Sequence, residues 1–168
     1  MKIKQRHFIK SSEVKTLKEE IRKKLDNTII NQIFPKKCGV ELIITENGDE
    51  LYAINNELKI WKSKEGYIPV LKLLLENKIN LKSIVVDMGA VRFVANKADV
   101  MRPGITHIDP LIKKGDIIKI VDETHKRSLA VGKALYDAEE MKNKTSGKVV
   151  KNLHTINDDI WKFEKEFK

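Results

Sequence analysis

"VDMGAVRFVANKADVMRPGI", residues 86–105, is the stretch on which the reading of the chain turns. It opens at the end of an apolar run, turns at Gly89-Ala90, carries Arg92 and Lys97 through a short apolar segment, and closes on Arg102-Pro103-Gly104. A buried helix has no need of an arginine, and a surface helix has no need of so many valines. Helical spacing reconciles the two. From Ala90 onward, Val91, Val94, Ala95 and Ala98 fall on one side, Arg92 and Asn96 on another, and Lys97 flanks the end. Gly89 permits a sharp turn and close approach to the backbone, and Pro103-Gly104 forces a second turn. The pattern predicts a short helix with a buried face, an exposed basic edge and accessible backbone at both ends, which would suit a phosphate backbone. The competing reading is a tight packing corner with incidental basic residues.

Around this segment the period is that of strands. "IVVD" precedes it; "LIKKGDIIKIVD", with Gly115-Asp116 as a turn, "SLAVGKALYD" and "GKVVKNLHTIND" follow it. Gly132 inside a strand marks a bulge or a close backbone approach. "DAEEMKN" reads as a short helix capped by Asp137, and "DIWKFEKEF" as a closing strand or helix whose Trp161 and Phe163 seal the barrel bottom. Asp87, at a strand end, is expected to cap the following turn. Many short strands with glycine turns read as a small barrel.

The first half reads differently. "IKQRHFI" is a short strand. "SSEVKTLKEEIRKKL" is a helix with Ser11 or Ser12 as cap and Val14, Leu17, Ile21 and Leu25 as its apolar stripe. Strands are predicted near 40–45, 50–54 and 57–62, divided by Asn47-Gly48 and Asn55-Asn56, pairs that tolerate hairpin turns. "IPVLKLLLENK" is a helix with Pro69 near its first position. The junction falls at "NLKS", residues 80–83, dividing an α+β unit (1–80) from a mostly-β unit (81–168). The first unit has its own apolar set and is expected to fold alone.

The 168 residues are 41% apolar and 34% charged, enough for a packed core despite the charge. The net charge of +9 is shared by both halves, so no basic tail explains it. A distributed positive field suits RNA or an acidic membrane surface, while a lysine-rich proteome produces the same balance. The single cysteine, Cys38, excludes an internal disulfide and a cysteine-based zinc site. No run approaches a membrane span and the N-terminus lacks a signal-peptide core, so a cytoplasmic protein is expected.

"VVDMGAVRFVANKADVMRPGI", followed by "IKKGDIIKI" and "LAVGKAL", resembles the PUA domain, an RNA-binding pseudobarrel. "ELIITENGDELYAINNELKIWKSKEGYIPVLKLL" is similar to the domain preceding PUA in the malignant-T-cell-amplified-sequence family of translation factors and its archaeal members, and "NLHTINDDIWKF" resembles that family's ending. The resemblance implies an α+β pre-PUA domain followed by a mostly-β PUA pseudobarrel. It implies a non-catalytic, cytoplasmic RNA-binding factor without cofactor, acting on the small ribosomal subunit or tRNA in translation initiation. The family works with a partner of start-codon-monitoring-factor fold, which here would be a separate protein. By motif position the resemblance assigns RNA binding to Gly89, Ala90, Arg92, Lys97, Arg102 and Gly104, with Lys148 and Lys151 on the last strand. Arg102, beside Pro-Gly, is favoured as a phosphate contact; for each lysine a solvated surface position competes.

"RKK" at 22–24 and "PKK" at 35–37 form a second basic region, read as a charged helix face rather than an RNA footprint. Trp61 is assigned to core packing. His7, His107, His125 and His154 are dispersed without metal-ligand spacing, and neither a dinucleotide nor a phosphate loop is present; no catalysis is expected. Two rival functions are an RNA-targeting accessory module for a modification enzyme and a protein-interaction module.

Overall fold

The computed structural model describes residues 1–168. The chain opens with strand β1 (Ile3–Phe8), helices α1 (Ser11–Arg22) and α2 (Asn27–Ile33), strands β2 (Val40–Thr45), β3 (Glu50–Ile54), β4 (Glu57–Ser63) and β5 (Gly66–Pro69), and helix α3 (Leu71–Leu75). The five strands form an antiparallel sheet in sequence order. Asn55 and Asn56 both take positive φ in the β3–β4 turn, as a two-residue hairpin of this hand requires.

Three local expectations are corrected. Helix α1 is capped by Lys10, not by a serine: Ser11 and Ser12 are already helical, and the Lys10 backbone N–H donates to the Glu13 carboxylate at 2.8 Å. Pro69 ends a strand instead of starting a helix; β5 is an edge strand, where proline's missing N–H costs no ladder bond. Helix α3 is correspondingly short.

The second half contains β6 (Ser83–Val86), α4 (Met88–Ala95), β7 (Val100–Met101), a 3-10 turn over Arg102–Gly104, β8 (Ile105–Ile108), β9 (Ile117–Asp122), β10 (Ser128–Ala134), α5 (Ala138–Asn143), β11 (Lys148–Thr155) and α6 (Asp159–Glu166). Its strands make a six-stranded, nearly closed sheet in the order β7-β11-β10-β9-β6-β8, parallel only between β6 and β9. Bulges in β10 and β11 curve it. At Gly132 a Cβ would stand 2.7 Å from Val150 Cγ1 and 2.9 Å from the Lys151 carbonyl oxygen, so the close approach expected there is real. No helix is long and apolar enough to cross a membrane.

Two cores result. A 16-residue cluster fills the pseudobarrel. A second, of 27 residues, joins the first half to Ile117, Val131, Leu153, Ile160 and Phe163 of the second. Helix α6 therefore packs in the seam between the halves; Phe163 is buried there and Trp161 lies half-buried against the same cluster, neither sealing the barrel. The apolar set of residues 1–80 thus continues across the junction into the second half.

His154 on β11 fixes the seam. It is buried, its Nε2 accepts from the Leu71 backbone N–H at 3.0 Å, and its Nδ1 lies 2.8 Å from Asp158 Oδ2. Since Nε2 accepts, the proton sits on Nδ1. Asp158 also caps α6 through Trp161 N–H at 2.8 Å and takes the Thr155 N–H at 2.9 Å. Burial pushes the Asp158 carboxyl up, but these hydrogen bonds, His154 foremost, hold it below the ordinary carboxylate range. The Trp61 ring meets His154 edge-on, in the core role expected of it.

Candidate nucleic-acid interface

Helix α4 begins where β6 runs out. Asp87 accepts from the Ala90 N–H at 2.9 Å, the capping role expected from sequence, while its own N–H donates to the Gly104 carbonyl at 2.9 Å. That second bond ties the 3-10 turn to the helix start. A Cβ at Gly104 would lie 3.2 Å from Ala90 Cβ, so glycine lets the turn seat against the first helical turn. The helix ends in a Schellman motif: Ala98 N–H bonds to the Phe93 carbonyl (2.9 Å) and Lys97 N–H to that of Val94 (3.0 Å), with Lys97 at φ 71°. Asn152 on β11 secures this end, its side-chain amide donating to the carbonyls of Val94 and Ala98 at 3.0 Å each. The asparagine of "NLHTIND" thus anchors α4, and the histidine of the same element anchors the seam.

The buried face is narrower than the spacing implies. Val94 is buried, Ala90, Val91 and Ala95 are half-buried, and Ala98 is exposed because the left-handed turn at Lys97 carries it off the helix. Between α4 and the 3-10 turn lies a groove of about 410 Å³, lined by Gly89, Ala90, Phe93, Met101, Pro103 and Gly104 among others. Phe93, Met101 and Met88 are about half exposed around it (53%, 51% and 46%). Sequence reasoning missed this apolar floor. The signal was available: Phe93 falls outside the face set by Val91, Val94 and Ala95, so a helix in that phase presents an aromatic ring to solvent.

Gly89, Ala90 and Gly104 line the groove, Arg92 stands exposed on α4 and Lys97 in the turn just past its end, with the Arg92 guanidinium 4.8 Å from the Phe93 ring centre. The other cations are committed to the protein itself. Arg102, favoured from sequence as a phosphate contact, is bonded within the protein. Its Nε donates to the Met141 carbonyl at 2.7 Å, with further bonds to Ile105 (3.3 Å) and Lys142 (3.5 Å). Its head therefore closes the last turn of α5. Lys148 pairs with Asp99 at 3.3 Å, and Lys151 with Glu65 of the β4–β5 turn at 2.7 Å, alongside Lys133 at 2.8 Å. Hydrogen bonds from Lys133 and Lys151 draw the Glu65 carboxyl down to about 2.

The PUA domain model matches residues 82–156 and the pre-PUA-like domain model residues 1–77. Malignant T-cell-amplified sequence 1 of Rattus norvegicus is 30% identical, covering 91% of this chain and 87% of that protein. The chain belongs to this pre-PUA and PUA family. An uncharacterized protein of Methanocaldococcus jannaschii is 41% identical over 98% of this chain and 99% of its own, and Translation machinery-associated protein 20 of Saccharomyces cerevisiae 31% identical over 96% and 93%. A solved structure from Pyrococcus horikoshii superposes with a TM-score of 0.82 at 31% identity, covering 95% of this chain and 99% of that one. The family's pseudobarrel is thus the one built here around α4.

Proposed function

We propose that the chain is a non-catalytic, cytoplasmic RNA-binding factor of the translation apparatus, made of a pre-PUA unit (1–80) and a PUA unit (81–168). One observation carries the reading: an apolar groove flanked by exposed cations on the PUA helix, in a family that includes a translation machinery-associated protein. An unpaired base stacks on Phe93 and Met101, and flanking phosphates meet Arg92 and Lys97. Stacking on an exposed aromatic ring contributes roughly 1–3 kcal/mol per base and tolerates any sequence, while an arginine can grip a phosphate through two hydrogen bonds. The proposed targets are rRNA of the small ribosomal subunit or tRNA, reached together with a separate protein of start-codon-monitoring-factor fold. Sedimentation of the purified chain with ribosomal subunits and with deacylated tRNA tests this. Co-migration with the small subunit, lost in Phe93→Ala, is expected; co-migration with neither RNA overturns the reading.

A further inference from the structure

The sequence gives α1 a mixed-charge surface, and the fold sorts that mixture. Glu13 and Glu20 face a groove shared with Tyr52 and Tyr67 on the sheet. Lys15, Lys18 and Arg22, spaced three and four residues apart, face the other way. There they meet Lys36 across a separate groove of about 410 Å³, whose remaining lining is Ser11, Val14 and Cys38. No carboxylate lines it, and none of its four cations forms an ion pair with one. Two are held by neutral partners: Lys18 lies 5.4 Å over the Phe34 ring, and Arg22 Nε donates to Asn27 Oδ1 at 3.0 Å. These contacts fix position without a carboxylate; Glu19, at helical spacing from Lys15 and Arg22, shares this side of α1 but forms an ion pair with neither. Arg22 also lines a cleft at the seam with Lys23, Lys24 and Lys82, where Lys24 reaches the Gly115 carbonyl of the second half. In that cleft Lys82 is paired with Asp116 and Lys23 with Glu20, while Lys24 is held by a carbonyl, so most of the cations without a carboxylate partner lie in the α1 groove.

We propose that the groove between α1 and the 35–38 loop is a second RNA-binding site, one that takes the sugar-phosphate backbone without reading bases; it rests on the RNA-binding role above. Lys15 and Arg22 are roughly 10 Å apart along the helix at 1.5 Å per residue, about the axial length of three phosphates along one strand. Four cations without a carboxylate fit a polyanion. The apolar lining, Val14 and Cys38, is half-buried and offers nothing to insert into a bilayer. The groove has no aromatic floor, so it contributes affinity and salt dependence but no discrimination among bases.

The test uses the full chain and a 20-base-pair RNA duplex with a single-stranded 3′ overhang. The variant K15Q/R22Q/K36Q is compared with K2Q/K4Q/K162Q, which removes the same charge elsewhere, and with Phe93→Ala. Circular dichroism and Tm establish that each variant is folded; Lys15→Gln alone serves if the triple variant is not. Loss of three phosphate contacts should flatten the log–log salt slope by roughly 2–3 and weaken binding at 100 mM salt by about 10-fold or more, and the matched control should do neither. Equal losses in both triple variants, or an unchanged slope, overturn the second site. So does retention of RNA binding with loss of binding to phosphatidylserine vesicles, which would assign the groove to a lipid surface. Absence of RNA binding by the unsubstituted chain would overturn the RNA-binding role itself. Loss in Phe93→Ala with an unchanged slope in K15Q/R22Q/K36Q leaves that role standing and removes only the α1 groove.

Discussion

The face of α4 and the groove of α1 are both basic in sequence, yet the fold treats most of their cations in opposite ways. Near α4, Arg92 and Lys97 stand exposed, but Arg102 is bound to three carbonyls, Lys148 to Asp99 and Lys151 to Glu65, while Phe93 and Met101 are left half exposed. Along the α1 groove, the cations are left without carboxylate partners and the apolar side chains are buried or half-buried. Counting lysines and arginines therefore ranks the two surfaces wrongly. What matters to a polyanion is charge the protein has not already neutralised, and what matters to a base is exposed flat apolar surface.

The largest expected effect is at Arg102, where the comparison is easiest to break. Arg102→Glu removes hydrogen bonds to Met141, Ile105 and Lys142 and brings a carboxylate up to carbonyl oxygens. A loss of about 2–4 kcal/mol of stability is expected, seen as a lower midpoint in denaturant melts. A variant that melts like the unsubstituted chain but loses RNA would return Arg102 to the binding surface. Phe93→Ala comes next: the ring is half exposed, so stability should barely change, while affinity for RNA with an unpaired base falls by about 1–3 kcal/mol with the salt slope intact. A flattened slope in this variant would erase the distinction between the two surfaces.

The smallest effect is at Glu65. Glu65→Gln releases Lys133 and Lys151, and a modest gain in RNA affinity is expected if Lys151 faces the RNA. The pH dependence has a definite sign. The Glu65 carboxyl is held down to about 2 from an ordinary 4.5, so its contribution to stability is complete above pH 4.5 and lost as pH falls through about 2. The Tm difference between the unsubstituted chain and Glu65→Gln should be constant from neutral pH to about pH 5 and vanish toward pH 2. A difference that grows on acidification would contradict the pairing.

Patterns that are local in the chain were legible before the structure. Val14, Leu17, Ile21 and Leu25 announce α1, Asn55-Asn56 announces a hairpin, and Asp87 announces its cap. The motif order around residues 86–105 led to the pseudobarrel. What sequence could not supply was the identity of distant partners. The carbonyl that takes Arg102 Nε is 39 residues away and the carboxylate that takes Lys151 is 86 away. Strand β5 escaped notice because four residues ending in proline show no usable alternation. The common core escaped because periodicity reports which face is apolar and not what covers it.

That common core has a mechanical consequence. With Ile117, Val131, Leu153, Ile160 and Phe163 packed into the first half and His154 bonded to Leu71 across the seam, the two halves are not beads on a linker. Once one surface has captured an RNA, the other meets it at a fixed distance, as an intramolecular event with an effective concentration set by the spacing between them. Flexible tandem modules accept many spacings and lose linker entropy when both engage. A welded pair loses none, and on the two-site proposal it would grip firmly only those RNAs whose backbone passes both points at once. The seam makes the chain a caliper.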